Sequence, residues 1–525
     1  MADRVGRLPR WPTRAESAVL VSGITSMGLE ILAGRMIAPQ FGSSIYTWGS
    51  IIGVFLAALS LGYWRGGERS VGDVSVENLA TIMLWTAIYI AVVLYAGDLF
   101  LRVSSAAPIP PRFAPLLPVT LLFGPPVYLL GFISPYAAEL SGTEHTGAAS
   151  GRVYALGTIG SIVGAFGTTF VLVPWLGIDP IALLFGAVLV VAAVGLTLPT
   201  RNPWPVVRIL VVVLLLVGAF SLPTYGVTVP GEVVYETQTP YQHLQVVDRG
   251  YVRTLYLDGQ PHSAINLDRP NEHVFTYTRY FHLPLLMTED VDRVLFIGGG
   301  GFTGPRIFAD LYDVEVDVVE IDPEVIAAAK RYFRVNETDD LHIYQGDGRE
   351  FLERTNRTYD VIILDAYRKA QVPFHLTTKE FFRLTRARLD DDGVLLANVI
   401  SAPSGPGSAF FRAEYKTMNR VFPQVHALRT TDSSFVQNVE VVATKREDRL
   451  SREELLARNR RRDIGYDMSD AINRSVGSVE TDDVPVLSDN YAPVERLLDP
   501  MLGRKYVIEG RYTGNVTTRT VRTVG

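Results

Sequence analysis

Three acidic residues end three short apolar runs in the second half of this 525-residue chain. Val316-Asp317-Val318-Val319 leads to Glu320, His342-Ile343-Tyr344-Gln345 leads into Gly346-Asp347-Gly348, and Tyr359 through Leu364 leads into Asp365-Ala366-Tyr367. Runs of this length read as parallel strands, so the three carboxylates cap one sheet edge, where doubly wound folds bind their ligands. Carboxylates so placed can accept hydrogen bonds from ribose hydroxyls and from the exocyclic amine of an adenine. Glu320 and Asp347 suit those two roles, and Asp365 is left over to accept a proton in a reaction. Singly, Asp347 and Asp365 read equally well as N-caps of the helices that follow them.

The elements that must position these groups are legible upstream. Arg293-Val294-Leu295-Phe296-Ile297 is an apolar strand entering four consecutive glycines, Gly298 to Gly301, and Arg306 to Tyr312 reads as a helix. Gly298, Gly299 and Gly300 let the backbone turn tightly and approach a ligand with no Cβ in the way. Gly299, Gly301 and Gly304 also satisfy the GxGxxG pattern of dinucleotide-binding domains, so the loop alone does not choose between ligands. Alternating stretches from Glu232 to Gly259 predict a small β lid. The expected organisation is a lid over 231–290, a Rossmann-like domain over 291–445 and a C-terminal extension over 446–525.

The first half is of another kind. Apolar stretches at roughly 17–38, 46–64, 79–101, 116–139, 153–176, 180–198 and 206–223 each approach the length that crosses a bilayer, giving about seven spans behind a basic tail over 1–16. Gly157-Thr158-Ile159-Gly160-Ser161-Ile162-Val163-Gly164 spaces small residues for close helix packing. Glu30 and Arg35 are charged groups within or beside the first span. Arg4, Arg7, Arg10, Arg14, Arg65 and Arg69 favour a cytoplasmic N-terminus, which seven spans would convert into an external second half; an adenosyl donor argues instead for a cytoplasmic one. A net charge of -6 without basic blocks outside the tail excludes a nucleic-acid footprint. The lack of cysteine excludes thiol chemistry, and the 8 histidines show no metal-binding spacing, so no metal is expected.

These residues resemble the spermidine synthase (polyamine aminopropyltransferase) family over roughly 232–445, with a tail near 487–498. The matching segments are Pro240-Tyr241-Gln242, Leu257-Asp258-Gly259, the glycine loop, Val319-Glu320-Ile321-Asp322, Gly346-Asp347 and Tyr359 through Asp365. Leu32-Ala33-Gly34-Arg35 and Tyr46-Thr47-Trp48 look like the family's membrane-fused branch. The resemblance implies an α-helical transmembrane bundle followed by a small β domain and an α/β Rossmann-like domain of the S-adenosylmethionine-methyltransferase type. It implies that Gln242, Glu320 and Asp347, with the loop glycines and Gly348, hold a nucleoside, and that Asp365 is the proton acceptor.

This chain departs from the family on the acceptor side. Tyr277-Thr278-Arg279 stands in place of Tyr-His-Glu, Gly301 in place of an aspartate, and Arg368, followed by Lys369, in place of a second aspartate; Tyr277, Arg279 and Arg368 are thus the candidate acceptor-binding residues. Loss of acids and gain of bases should repel a polycationic amine unless Asp365, Asp489 and Glu495 refill the site. The expected reaction is aminopropyl transfer from decarboxylated S-adenosylmethionine to a small amine, without a metal. The alternatives are methyl transfer from S-adenosylmethionine to another acceptor and a nucleotide-sensing transporter or regulator. The expected partners are the lipid bilayer and the small-molecule acceptor, with no nucleic acid and with homo-oligomerisation left open; the expected location is the cell membrane, multi-pass, with the second half cytoplasmic.

Overall fold

A computed structural model of the chain describes residues 12–42, 44–72, 74–105, 107, 109–141, 146–198, 203–221, 231–368, 372–448, 450–501, 504, 506–512 and 519–520. The chain divides into two compact units, Met1–Val227 and Thr228–Gly525. Arg4, Arg7 and Arg10 of the basic tail, residues 222–230 at the junction, and Lys369 lie outside the described residues.

Among the described residues of the first unit, seven helices are long and apolar enough to cross a membrane: Arg14–Phe41, Ile45–Ser70, Val76–Leu101, Leu116–Leu140, Gly147–Trp175, Ile178–Thr197 and Trp204–Ser221. The first begins with a capping box. Thr13 Oγ1 accepts the Glu16 N–H at 3.2 Å, and the Glu16 carboxylate accepts the Thr13 N–H at 2.7 Å. Large apolar side chains such as Trp175 and Leu214 remain exposed on these helices. The small-residue run serves packing. A Cβ on Gly160 or Gly164 would come within 2.3 Å of the Leu20 or Ile24 carbonyl oxygen, so only glycine lets these two helices approach so closely.

The second unit opens with an antiparallel sheet of β1 (Glu232–Gln238), β2 (His243–Arg249), β3 (Val252–Leu257) and β4 (Gln260–Asn266), paired in chain order. After a helical stretch, Tyr277–Leu286, come β5 (Arg293–Ile297), β6 (Glu315–Glu320), β7 (Leu341–Gln345), β8 (Tyr359–Leu364), β9 (Leu389–Ser401), β10 (Gln424–Arg429), β11 (Gln437–Thr444) and β12 (Ser475–Val476). They form one sheet in the order β12-β10-β11-β9-β8-β5-β6-β7. Strands β5 to β9 run parallel, and β11 lies antiparallel between β9 and β10. The chain winds outward from β5 through β6 to β7, then crosses back to β8. The crevice between β5 and β8 is therefore the switch point at which an open α/β sheet binds ligands.

The helix after the glycine loop begins earlier than its sequence suggests, at Thr303 rather than Arg306. Thr303-Gly304-Pro305 reads as a turn, but proline is tolerated in a first helical turn because its missing N–H would have no partner there. Phe302 enters the helix in the left-handed region, at φ 55°, and is fully buried.

Candidate active site

The loop after β5 and the strand end after β8 touch. Gly298 N–H bonds the Val319 carbonyl at 2.8 Å, and Asp365 N–H bonds the Ile297 carbonyl at 2.8 Å, so both ladders continue past the last strand residues. Gly298 has φ 97°, and a Cβ there would sit 2.3 Å from the Asp365 carbonyl oxygen. No other residue fits. Gly348 is held to glycine by packing, because its Cβ would come 2.3 Å from Ile297 Cγ2.

Glu320, at the end of β6, folds inward. Its Oε2 accepts the N–H groups of Gly299 at 2.8 Å and Gly300 at 3.3 Å, and Oε1 accepts that of Asp322 at 3.0 Å. Burial raises its pKa, opposed by those three N–H groups. The carboxylate thus shapes the glycine loop. With about four lone-pair sites in all, it keeps roughly one for a sugar hydroxyl unless a loop contact gives way. Gln242 is buried beside it and donates from Nε2 to Asp322 Oδ2 at 3.2 Å.

Asp347 is the N-cap of the helix Gly348–Arg354, accepting the N–H groups of Arg349 and Glu350 through Oδ1 at 2.9 and 3.1 Å. Its Oδ2 lies 2.8 Å from His375 Nε2, and this bond, with the histidine's charge, holds the carboxyl below its ordinary pKa against the opposing effect of burial. Among the described residues, Asp365 caps no helix. Its Oδ1 accepts Asn398 Nδ2 at 2.7 Å, and burial raises its pKa to about 6, with the amide bond opposing the rise and the Glu320 charge adding to it. A carboxyl tuned there is ionised at neutral pH and still basic enough to take a proton.

Asp365 opens on a small pocket whose walls include His262, Ser263, Tyr277, Thr278, Thr303 and Gly298 to Gly300. Asp365 is the one acid among its lining residues. Burial, with the Arg368 charge nearby, lowers the His262 pKa to about 3, so that imidazole is neutral. Tyr277 donates its hydroxyl to the His262 carbonyl at 2.8 Å.

Two acceptor-side expectations need correction. Arg279 does not line the pocket; its guanidinium reaches the Asp467 carbonyl at 3.4 Å. Arg368 is not a free base, since Nη1 lies 2.9 Å from Asp258 Oδ2 in the turn between β3 and β4. Nor does Asp489 refill the pocket, being bound by Arg349 at 2.6 Å and by Thr378 at 2.7 Å. Sequence reasoning also passed over His262, Ser263, Asn398 and His375. Asn398 lies within an otherwise apolar strand segment, a signal that marks a buried polar group with a partner. Glu315, Asp317 and His342 form the one grouping among the described residues with metal-ligand spacing, but it belongs to the starts of β6 and β7, and Arg357 already pairs with both carboxylates there.

The sequence profile of the "Spermine/spermidine synthase domain" matches residues 274–447. The polyamine aminopropyltransferase of Vibrio vulnificus is 28% identical over 239 residues, covering 44% of this chain and 76% of the relative. That of Saccharolobus solfataricus is 30% identical over 213 residues, covering 39% of this chain and 69% of the relative. For two other bacterial relatives of the same name, from Chromobacterium violaceum and Neisseria meningitidis, the shared region spans 60% and 62% of their length. The crystal structure of a probable spermidine synthase from Corynebacterium glutamicum aligns with 21% identity and a TM-score of 0.41, over 49% of this chain and 96% of that one.

Proposed function

Because the chain belongs to the spermidine synthase family, we propose that it is a membrane-bound aminopropyltransferase that moves the aminopropyl group of decarboxylated S-adenosylmethionine onto an amine. The observation that carries this is Asp365, a carboxyl with its pKa raised to about 6, opening on a pocket walled by the glycine loop. The acceptor nitrogen attacks the carbon next to the sulfonium, the carbon–sulfur bond breaks, and its electron pair leaves with methylthioadenosine. Asp365 takes the proton that the nitrogen loses. Glu320, Asp347 and Gln242 hold the nucleoside, Gly298 to Gly300 admit it, and Asn398 fixes the carboxylate that takes the proton. The membrane-bound part of this reading is supported by the seven helices of the first unit, each long and apolar enough to cross a bilayer.

A second reading is favoured by one observation. The pocket offers hydroxyls and a neutral imidazole but a single acid, a poor environment for the two ammonium groups of donor and diamine together. Ordinary S-adenosylmethionine as a methyl donor would fit such walls. Purified full-length protein incubated with each donor and a panel of amines, followed by mass spectrometry, separates the two. Methylthioadenosine with an aminopropylated amine supports the first, and S-adenosylhomocysteine with a methylated product supports the second.

A further inference from the structure

We propose that the segment around Tyr506, in the C-terminal extension, is a working part of this site, and that Tyr506 positions Asp365 through a relay of two buried amides, Asn438 and Asn398. The Tyr506 hydroxyl donates to Asn438 Oδ1 at 2.9 Å, Asn438 Nδ2 donates to Asn398 Oδ1 at 2.8 Å, and Asn398 Nδ2 donates to Asp365 Oδ1 at 2.7 Å. An ionised carboxylate only accepts, so the amide facing it must present its nitrogen. That choice fixes the orientation of the second amide, and the phenol holds the second amide by giving its oxygen a donor. All three relay side chains are buried.

The backbone holds the segment in place. Tyr506 bridges Val436, Val507 N–H bonds the Val436 carbonyl at 2.9 Å, Thr276 N–H bonds the Glu509 carbonyl at 2.8 Å, and Gly510 bridges Phe275. The segment thus ties the start of β11 to the residues just before Tyr277, which lines the pocket.

Among the described residues, Glu320, Tyr277, Tyr506 and Glu440 interact electrostatically with the Asp365 carboxyl, and His262 lines the same pocket. Glu440 pairs with Asn398 across β11 and β9, and so shares its face of the sheet with Asn398 and with Asn438 two residues earlier. Neither Glu440 oxygen has a hydrogen-bond partner among the described residues, and burial together with the Asp365 charge raises the pKa of that carboxyl well above the ordinary carboxylate value. Among the described residues, the Asn398 amide is the contact that stabilises the Asp365 charge.

This rests on Asp365 being the proton acceptor, and the test separates the two ideas. Full-length wild type, Tyr506→Phe, Asn438→Ala and Asp365→Asn are compared by the pH dependence of turnover with decarboxylated donor and amine. In parallel, the Asp365 carboxyl is titrated by infrared spectroscopy, as the difference between each protein and its Asp365→Asn counterpart. Losing either the Tyr506 hydroxyl or the Asn438 amide frees the Asn398 amide to turn, so both relay variants should titrate at higher pH by about half a unit or more, with the acid limb of turnover moving by the same amount. We expect kcat to fall roughly tenfold and donor affinity to stay within about twofold. Unchanged carboxyl titration in both relay variants would overturn the relay, whatever the activity. Full turnover by Asp365→Asn would overturn the proton-acceptor role instead, and the infrared shift still decides the relay. If Tyr506→Phe does not fold, Asn438→Ala alone decides it.

Discussion

Arg368 and Asp258, 110 positions apart in sequence, meet at 2.9 Å and join the loop after β8 to the turn between β3 and β4. Both side chains are mostly buried, and Asp258 Oδ1 also accepts the His243 N–H at 2.9 Å. The charge that sequence alone would place against a polyamine is therefore already neutralised by a partner.

Removing the two partners should not be equivalent. Asp258→Ala strips a largely buried guanidinium of its counter-ion and leaves a backbone N–H unmet, which we expect to cost about 3 kcal/mol or more. Arg368→Ala should cost less and leave Asp258 with a free oxygen. Thermal unfolding should rank Asp258→Ala as the less stable variant, and steady-state assays should show Arg368→Ala with a lower KM for a diamine. An equal loss of stability in both, with no change in KM, would contradict this.

Gly301→Asp, which would restore an acid common in the family, does not fit this chain as it stands. A Cβ at Gly301 would lie 2.7 Å from Ser263 Oγ and 2.9 Å from Ser263 Cβ. We expect Gly301→Asp alone to destabilise by roughly 1–3 kcal/mol through overpacking, and Ser263→Gly in the same chain to recover most of it. Denaturant or thermal melts of the single and double variants measure this directly, and additive losses would refute the steric cause.

Glu414 sets a pH dependence of stability. It is fully buried, accepts the Tyr367 hydroxyl at 2.7 Å, and burial raises its pKa from 4.5 to about 8. The folded state holds this proton more tightly than the unfolded chain does. The resulting stabilisation is complete below about pH 4.5 and is lost as the pH rises toward about 8. Glu414→Gln keeps an acceptor for Tyr367 and removes the ionisation. Its melting temperature should exceed that of wild type above about pH 8 and lose the advantage at pH 5.

The parts of the site carried by local pattern were legible in the sequence. The glycine loop, Glu320, Asp347 and Asp365 each end an apolar run, and alternation marked the four-stranded sheet. The relay was not legible. Asn398 and Asn438 reach Asp365 only because β11 returns antiparallel beside β9, and Tyr506 arrives from a segment with no regular pattern. Arg368 and Asp258 likewise become partners only through tertiary folding. Asp347 shows the converse, since its N-cap role was readable in advance whereas its bond to His375 depends on a loop 28 residues on.

Nucleoside binding should respond differently to Glu320 and Asp347. Asp347→Asn keeps an N-cap but loses the charge paired with His375, and we expect donor affinity to fall by about 1–3 kcal/mol with little change in stability. Glu320→Ala should lose a similar amount of affinity and destabilise as well, because three buried N–H groups lose their acceptor. Calorimetry with the decarboxylated donor or methylthioadenosine reads the first effect and a thermal melt the second; unchanged affinity in both variants would remove the nucleoside from this site.

The most direct measurement is single-turnover aminopropyl transfer by wild type and Asp365→Asn in full-length protein, taken across pH 5 to 8 with donor affinity measured alongside. Asp365 accepts a proton only when ionised, so wild-type rates should rise with pH through about 6 and then level off. Asp365→Asn should bind the donor nearly as well, react roughly 100-fold more slowly or worse, and lose that acid limb. A variant that keeps the full rate with the same pH dependence would show that Asp365 is not the group that takes the proton.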